Sequence, residues 1–422
     1  LSASRAGKVK RAERKLKVSL RLLSVFGVPG SAFSSKIQTT FHFPFSPLLL
    51  WSAHEMKLRV FAAATLGFAL SLRAEPVDVS SRLERIRVEH QLPALAAAAY
   101  DEGGLVAIGA TGRRRARNNE PVTLDDRWHL ASCTKSMTAS LAAMLVEDGL
   151  ISWDSTIGEI FPDLAPKMKK AWRGVTLEQL LVHRGGAPHD PPADLWKAAI
   201  ARVGTPTEQR LAFVKGILGA EPERPPGSHW IYSDSGYAIV GAMLEKITGQ
   251  PWEDLLRTRL FEPLGLKSAG FGAPATTGAV SEPWGHKGES PPYQPVPPGP
   301  TDDNPPAIGP AASVHMNIAD FARYAAWHVE GERGWGTLLT EDSFHKLHTP
   351  PEEQRYAMGW AVVRRKWANG NALMHNGENT MFYAVMWLGP GQDTCFVAAC
   401  NCDGAGAEEA CNDAIAMLIN SF

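Results

Sequence analysis

Apolar positions along the chain follow two different periods, and the switches between them divide it. Ser80 to His90 places Leu83, Ile86 and Val88 at helical spacing, the pattern of an amphipathic helix. Pro93 to Tyr100 and Leu105 to Thr111 are apolar runs either side of Asp101-Glu102-Gly103-Gly104, which predicts two strands joined by a turn. From Ser132 to Glu147 helical spacing returns through Met137, Leu141, Met144 and Leu145, with Gly149 as its stop. Residues 151–345 are mostly helical patterns broken by Pro and Gly; the best defined are Leu177 to Val182, Thr207 to Leu218, Ser235 to Thr248, Trp252 to Phe261 and Ile318 to Val329. Strand-like runs resume at Gly359 to Arg364, Asn371 to His375, Phe382 to Leu388 and Thr394 to Ala399, closed by a helix from Ala407 to Ile419. Strands at both ends with helices between predict a mixed α and β domain over 75–420. One sheet is built from 77–131 and 350–420, and a mostly helical part, 132–349, is inserted into it. A Pro-rich stretch from Glu282 to Pro310 reads equally as a surface connection or as a stiffened loop bordering a site.

Composition changes this picture mainly at the N-terminus. The first methionine is Met56, and the 55 basic, Ser- and Leu-rich residues before it lack any folding period; they are expected to be upstream translation. Lys57 and Arg59, the apolar run Val60 to Leu72 and the small residue Ala74 have the form of a secretory signal over 56–74. An exported, periplasmic or secreted, bacterial protein is therefore expected, with no stable membrane insertion once the signal is cleaved. Residues 1–74 carry twelve Lys/Arg against two Glu, so a whole-chain charge of −1 leaves −11 on the remainder. An acidic chain with no basic stripe is not expected to bind nucleic acid. The five cysteines, Cys133, Cys395, Cys400, Cys402 and Cys411, have no zinc-ligand spacing with nearby histidines. Cys133 is expected to pack as a small buried residue. Export would permit a disulfide among the other four, with the pair left open.

Three short segments carry chemistry. Ser132-Cys133-Thr134-Lys135 places a hydroxyl one helical turn before an amine, so both share a face, and a neighbouring amine can take the serine's proton. Tyr232-Ser233-Asp234 precedes the helix Ser235 to Thr248; a tyrosine there, its pKa lowered by a nearby Lys⁺, can act as a base. His375-Asn376-Gly377-Glu378 is expected at a strand end, where the glycine admits a substrate and the next amide can donate to an oxyanion.

These segments resemble, in order, the three signature elements of the serine β-lactamase-related family: class C β-lactamases, D-alanyl-D-alanine carboxypeptidases and family VIII carboxylesterases. Val175 to His183 and Phe261-Glu262-Pro263-Leu264-Gly265-Leu266 extend the likeness over residues 77–420. The resemblance implies an α+β, β-lactamase/transpeptidase-like fold, an antiparallel sheet flanked by helices with an inserted mostly helical domain. It implies Ser132 as the acylated nucleophile, Lys135 as its proton-transfer partner and Tyr232 as general base. The backbone N–H groups of Ser132 and Glu378 would form the oxyanion hole, with Asp234, His375, Asn376 and Gly377 binding substrate and no metal or cofactor.

Two departures bear on the substrate. Asp234 stands where β-lactamases and peptidases usually have asparagine; it would pair with Lys135, favour its charged form and shift the base role to Tyr232. His375 replaces a lysine and removes a fixed positive charge for a substrate carboxylate. Both changes point toward esters, within an expected serine hydrolase of ester or amide bonds, β-lactams included, on a small-molecule or peptidoglycan-like substrate. The alternative is a penicillin-binding or sensor module that acylates without efficient turnover. No Gly-x-Ser-x-Gly elbow is present, and His183, His189, His286 and His315 lack metalloprotease spacing. His183 is expected to be a structural hydrogen-bonder, whereas Trp284, His286 and Tyr383 either line the cleft or pack.

Overall fold

Along Ala94–Asp101 the side chains of Leu95, Ala97 and Ala99 join one buried cluster and those of Ala94, Ala96 and Ala98 another, the alternation that a strand buried on both faces requires. This strand lies near the middle of a seven-stranded sheet in the computed structural model, which describes residues 75–422 apart from 103, 289 and 300–302. The expected upstream segment and signal lie outside the described residues. In chain order the elements used below are β1 (Val77–Asp78), α1 (Ser80–Glu89), β2 (Ala94–Asp101), β3 (Gly104–Gly112), β4 (Arg127–His129), α2 (Thr134–Glu147), α3 (Pro206–Gly219), α4 (Asp234–Thr248), β5 (Gly270–Phe271), β6 (Val314–Asn317), α5 (Ile318–Glu332), α6 (Glu341–His348), β7 (Ala361–Arg365), β8 (Gly370–Glu378), β9 (Tyr383–Gly389), β10 (Thr394–Cys400) and α7 (Ala405–Ile419).

The sheet order is β1-β3-β2-β10-β9-β8-β7. Every pairing in it is antiparallel except β1 with β3, which is parallel, so the expected antiparallel sheet is mixed at one edge. Helices α1 and α7 cover one face through Leu83, Cys411, Ile415 and Leu418. Helix α5 covers the other through Phe321, Ala322 and Ala325. A second sheet, β4-β6-β5, joins the segment before the nucleophile to the start of α5. Its two- to four-residue strands are too short to show a period and were not expected.

Helix α2 is buried all round from Thr134 to Leu145, so its hydroxyls need internal partners. Thr138 donates to the Pro310 carbonyl at 2.6 Å and Ser136 to that of Cys133 at 2.9 Å. Beyond Ser136 a buried chain runs outward. Tyr324 donates to Ser136 Oγ at 2.8 Å, His328 Nε2 lies 2.9 Å from the Tyr324 hydroxyl, His348 Nε2 lies 2.9 Å from His328 Nδ1, and Glu332 lies 2.6 Å from His348 Nδ1. Arg210 on α3 ties α4, through Glu245, to the short helix Trp252–Leu256, through Glu253, and to the turn Pro306–Ile308, through the Pro306 carbonyl.

Burial holds several histidines neutral. His286 and His315 fall from the usual 6.5 to about 4, chiefly by desolvation, and desolvation also lowers His328 and His348. The unfolded chain binds protons below about pH 6.5 that the folded chain refuses, so this stability is present above that pH and lost as pH falls. For His286 and His315 the loss is about 2 kcal/mol each by pH 5. Glu332 and Glu341 outweigh burial to raise His345, which opposes the trend weakly because that ring is half exposed. Urea unfolding at pH 7, 6 and 5 should therefore show stability falling steeply with acid, and an equal midpoint at all three would refute the assignment.

Candidate active site

The site is built on a tight turn. Ala131–Cys133 forms a single 3₁₀ turn leading into α2, and Ala131 takes a φ of 43°, the left-handed region that a residue with a Cβ seldom occupies. The strain is held from both sides. The Ala131 N–H donates to His129 Nδ1 at 3.0 Å, and His129 Nε2 lies 2.8 Å from Asp303. Leu130 N donates to the Val314 carbonyl at 2.8 Å, and Val314 N donates back to the Thr134 hydroxyl at 3.0 Å. Cys133 turns to the sheet, its thiol 3.6 Å from the His375 carbonyl and raised by burial, as expected for a packing residue. Ser132 turns the other way, toward Lys135.

Lys135 is fully buried, and its Nζ meets three acceptors: Ser132 Oγ at 2.9 Å, Asp234 Oδ1 at 2.6 Å and the Ala311 carbonyl at 3.2 Å. An ammonium has three N–H donors, whereas a neutral amine has two and a lone pair. The geometry is therefore that of the charged form. Burial disfavours that charge, but Asp234 and Tyr232 outweigh it and hold the group above the ordinary lysine value. Asp234 is placed by its helix: Ser233 caps α4 by accepting from Gly236 N at 3.1 Å, so the carboxylate occupies the first turn, where the dipole favours it.

Tyr232 stands at the expected loop-to-helix junction, its ring centroid 4.6 Å from Lys135 Nζ. Its pKa is not lowered, contrary to expectation. Burial pushes the phenol up and Asp234 adds to that, exceeding the downward pull of the Lys135 charge and of hydrogen bonding to Lys135 and Ser132.

The third segment also differs from expectation. Strand β8 does not end at His375 but continues to Glu378, paired with β9 from Leu373 to Glu378, while its pairing with β7 stops at Met374. Strand alternation then sorts the residues. Gly377 faces the turn so closely that a Cβ there would lie 2.7 Å from Ser132 N and would overlap the Leu130 carbonyl. Asn376 faces the opposite side, its amide donating to the Tyr383 hydroxyl at 3.2 Å, which corrects its placement among substrate-binding groups. His375 reaches the site with both ring nitrogens engaged, Nε2 2.9 Å from the Tyr356 hydroxyl and Nδ1 2.5 Å from the Asn376 carbonyl. Desolvation and the Lys135 charge lower it to about 3, so the ring is neutral. The Glu378 side chain turns to Asp403, and burial together with that carboxylate raises its pKa.

Ser132, Lys135, Tyr232, Asp234, His375 and Gly377 thus converge, while Asn376 faces away. Sequence reasoning missed the Ala311 carbonyl, a backbone atom with no residue-type signal, and Tyr356, which resembles any core aromatic. His183 acts as the expected structural hydrogen-bonder: Nδ1 accepts from Ser233 N at 3.2 Å, and its ring lies 4.6 Å from Tyr232 and 4.8 Å from Tyr356. His286 packs, bonded to the Asn401 carbonyl at 2.7 Å and to Ala116 N at 2.9 Å. Trp230 leans on this aromatic group and is 47% exposed.

A family model described as Beta-lactamase matches residues 79–418. Among curated proteins, penicillin-binding protein 4 of Amycolatopsis lactamdurans is 30% identical over 355 residues, 81% of this chain and 88% of that protein. Lovastatin esterase of Penicillium rubens is 31% identical over 188 residues, 40% of this chain and 46% of that protein. Among solved structures, the octameric penicillin-binding protein homologue from Pyrococcus abyssi superposes with a TM-score of 0.65 at 21% identity, covering 81% of this chain and 76% of that one.

The close approach of β8 to the turn is open to test. Gly377→Ala should leave the far-UV circular dichroism unchanged while slowing fluorophosphonate labelling of Ser132 by about a hundredfold, the scale of losing an oxyanion donor. Labelling at the unsubstituted rate would show that the strand does not set the turn.

Proposed function

The chain belongs to the beta-lactamase family, and from that premise we propose that it hydrolyses ester or amide bonds through an acyl-enzyme on Ser132. The observation that carries the proposal is the 2.9 Å contact between Ser132 Oγ and an ammonium saturated by Asp234 and Ala311. Tyr232 and Lys135 share their protons as a coupled pair. When the pair loses one, Asp234 keeps it on the lysine, and Tyr232 becomes the phenolate. Ser132 Oγ then attacks the carbonyl carbon as Tyr232 takes its proton, and the negative oxygen is received by the N–H groups of Ser132 and Glu378. Collapse breaks the bond to the alcohol or amine, which leaves with the proton from Tyr232. Water attacks the ester so formed as Tyr232 takes its proton, and collapse breaks the bond to Ser132 Oγ, which receives that proton back from Tyr232 as the acid is released.

The charge pattern favours uncharged acyl substrates. Asp234 accepts but does not donate when ionised, His375 is neutral and internally bonded, and Lys135 has no donor left for a substrate carboxylate. Esters and simple amides therefore rank ahead of β-lactams, in keeping with a relative named as an esterase. A second reading, a penicillin-binding or sensor module, is favoured by the same saturated ammonium, which is a poor base.

Three outcomes separate these readings. Ser132→Ala should abolish turnover with the fold intact, and retained activity would overturn the mechanism. Pre-steady-state kinetics on p-nitrophenyl esters and nitrocefin should show turnover beyond the first equivalent; a stoichiometric burst with no steady state would select the binding module. Removing the anion in Asp234→Asn lowers the pKa of both Lys135 and Tyr232, so the alkaline rise of kcat/KM should shift to lower pH. Nitrocefin turnover should also gain on ester turnover, and an unmoved profile with an unchanged ratio would show that Asp234 does not tune the pair.

A further inference from the structure

Helices α2, α5 and α6 enclose a second set of titratable groups, which the proposed reaction does not use. Ser136, Tyr324 and His328 are fully buried, His348 nearly so, and Glu332 at the outer end is partly exposed. They form an unbroken chain: Ser136 Oγ to the Tyr324 hydroxyl at 2.8 Å, that hydroxyl to His328 Nε2 at 2.9 Å, His328 Nδ1 to His348 Nε2 at 2.9 Å, and His348 Nδ1 to Glu332 at 2.6 Å. At the inner end Ser136 Oγ also lies 2.9 Å from the carbonyl of Cys133, in the turn that presents Ser132.

Counting protons fixes the direction of every bond. A neutral imidazole has one N–H and one lone pair, and a hydroxyl has one proton to give. When Ser136 donates to Cys133 and Tyr324 to Ser136, the Tyr324 oxygen must accept from His328 Nε2. His328 Nδ1 is then a lone pair and accepts from His348 Nε2, so one further proton must lie between His348 Nδ1 and Glu332. Without that proton, the Glu332 carboxylate needs the one proton of His348 on Nδ1. His348 Nε2 then accepts from His328 Nδ1, His328 Nε2 accepts from Tyr324, and Tyr324 accepts from Ser136, whose proton leaves the Cys133 carbonyl. Ser136, Tyr324 and His328 each keep one of these protons in both arrangements; the His348–Glu332 pair alone gains or loses one.

We propose that this chain positions the Ser132 turn, reversing as a unit when the His348–Glu332 pair takes up or releases a single proton. With the proton bound, Ser136 bonds back to the turn; with it released, the turn loses that restraint. Burial raises Tyr324, so the phenol carries the reversal without ionising. Burial also raises Glu332, but hydrogen bonds from His348 and His345 outweigh it and hold the carboxylate low, while burial lowers His348; the proton is therefore taken up as pH falls. The other titratable groups facing the pair are on α6: His345, 2.8 Å from Glu332, and Glu341, 3.5 Å from His345. Helix α2 presents hydroxyls, with Ser140 Oγ 3.3 Å from His328 Nε2. The Trp360 ring lies 4.8 Å from His328 and 5.7 Å from His348, and the Cys133 thiol near Tyr324 is kept protonated by burial.

The experiment is a nuclear magnetic resonance titration of the full chain from pH 9 to pH 5, with nitrogen-15 in the histidine rings and carbon-13 in the cysteine carbonyls. The expected result is that His328 moves from the Nδ1–H to the Nε2–H tautomer at the same midpoint at which His348 gains a proton on Nε2, and that the Cys133 carbonyl shift moves with them. In Tyr324→Phe the hydroxyl link is cut and Ser136 keeps Cys133 as its acceptor, so the Cys133 shift should stay fixed across the range. Fluorophosphonate labelling of Ser132 should then be equal in the two proteins below the midpoint and about threefold faster in Tyr324→Phe above it, the scale of one neutral hydrogen bond. A purely structural tyrosine would slow labelling at every pH, and that result would overturn the proposal. So would a single His328 tautomer throughout, separate midpoints for the two rings, or a Cys133 shift blind to them. Only the labelling rests on Ser132 as the nucleophile: a probe that labels nothing, beside the concerted shifts, would fail the acyl-enzyme reading and not the reversal. The wild-type titration decides even where the variant fails to fold.

Discussion

A lysine charge enclosed with three acceptors is the interaction on which the rest of the site depends. Lys135 has no contact with solvent, and an unpaired ammonium in that position would be strongly destabilising. Its partners come from three places in the chain: the turn before α2, the first turn of α4, and the segment leading into β6. Each must arrive at its own position for the charge to be tolerated, so the ammonium registers the inserted helices against the sheet. The same requirement explains why the Pro-rich connection ends as it does. Pro310 accepts from Thr138 and Ala311 from Lys135, which makes that segment part of the site's wall and not a loose surface link.

Much of this was legible in the residues, and the rest was hidden for identifiable reasons. The Ser-x-x-Lys spacing fixed a shared helical face, and the contact of 2.9 Å follows from it. Asp234 was readable as a partner of Lys135 because an acid replaced an amide at a helix start. The phenol of Tyr232 was misread: a nearby cation suggests a lowered pKa, but desolvation is larger and has no signature in sequence. Asn376 was misplaced because β8 was ended three residues early. With the strand carried to Glu378, alternation alone turns Asn376 away from His375 and Gly377. The short strands β4, β5 and β6 and the left-handed Ala131 leave no periodic trace, since each is imposed by tertiary hydrogen bonds.

The electrostatics of the site follow from how the one cation is spent. Lys135 is committed to internal acceptors, His375 is neutral, and the remaining ionisable groups near the strand end, Asp234, Glu378 and Asp403, are acids. A carboxylate-bearing substrate would meet acceptors where it needs donors. The proposed preference for uncharged acyl groups rests on this arrangement, more than on any single substitution in the motifs.

The two faces of the sheet divide the work. On one, Gly377 and the Ser132 turn approach so closely that a methyl group would separate them, and catalytic geometry needs such spacing held to within about half an ångström. A strand cannot hold that tolerance from its own pairing when its β7 partner stops at Met374. The restraint must come from β9, β10 and whatever fixes them from behind. Helices α1 and α7 pack there with Cys400, Cys402 and Cys411, and Asn376 bonds to Tyr383 across that same side. The far face, turned away from Ser132, is thus where the rigidity of the near face originates.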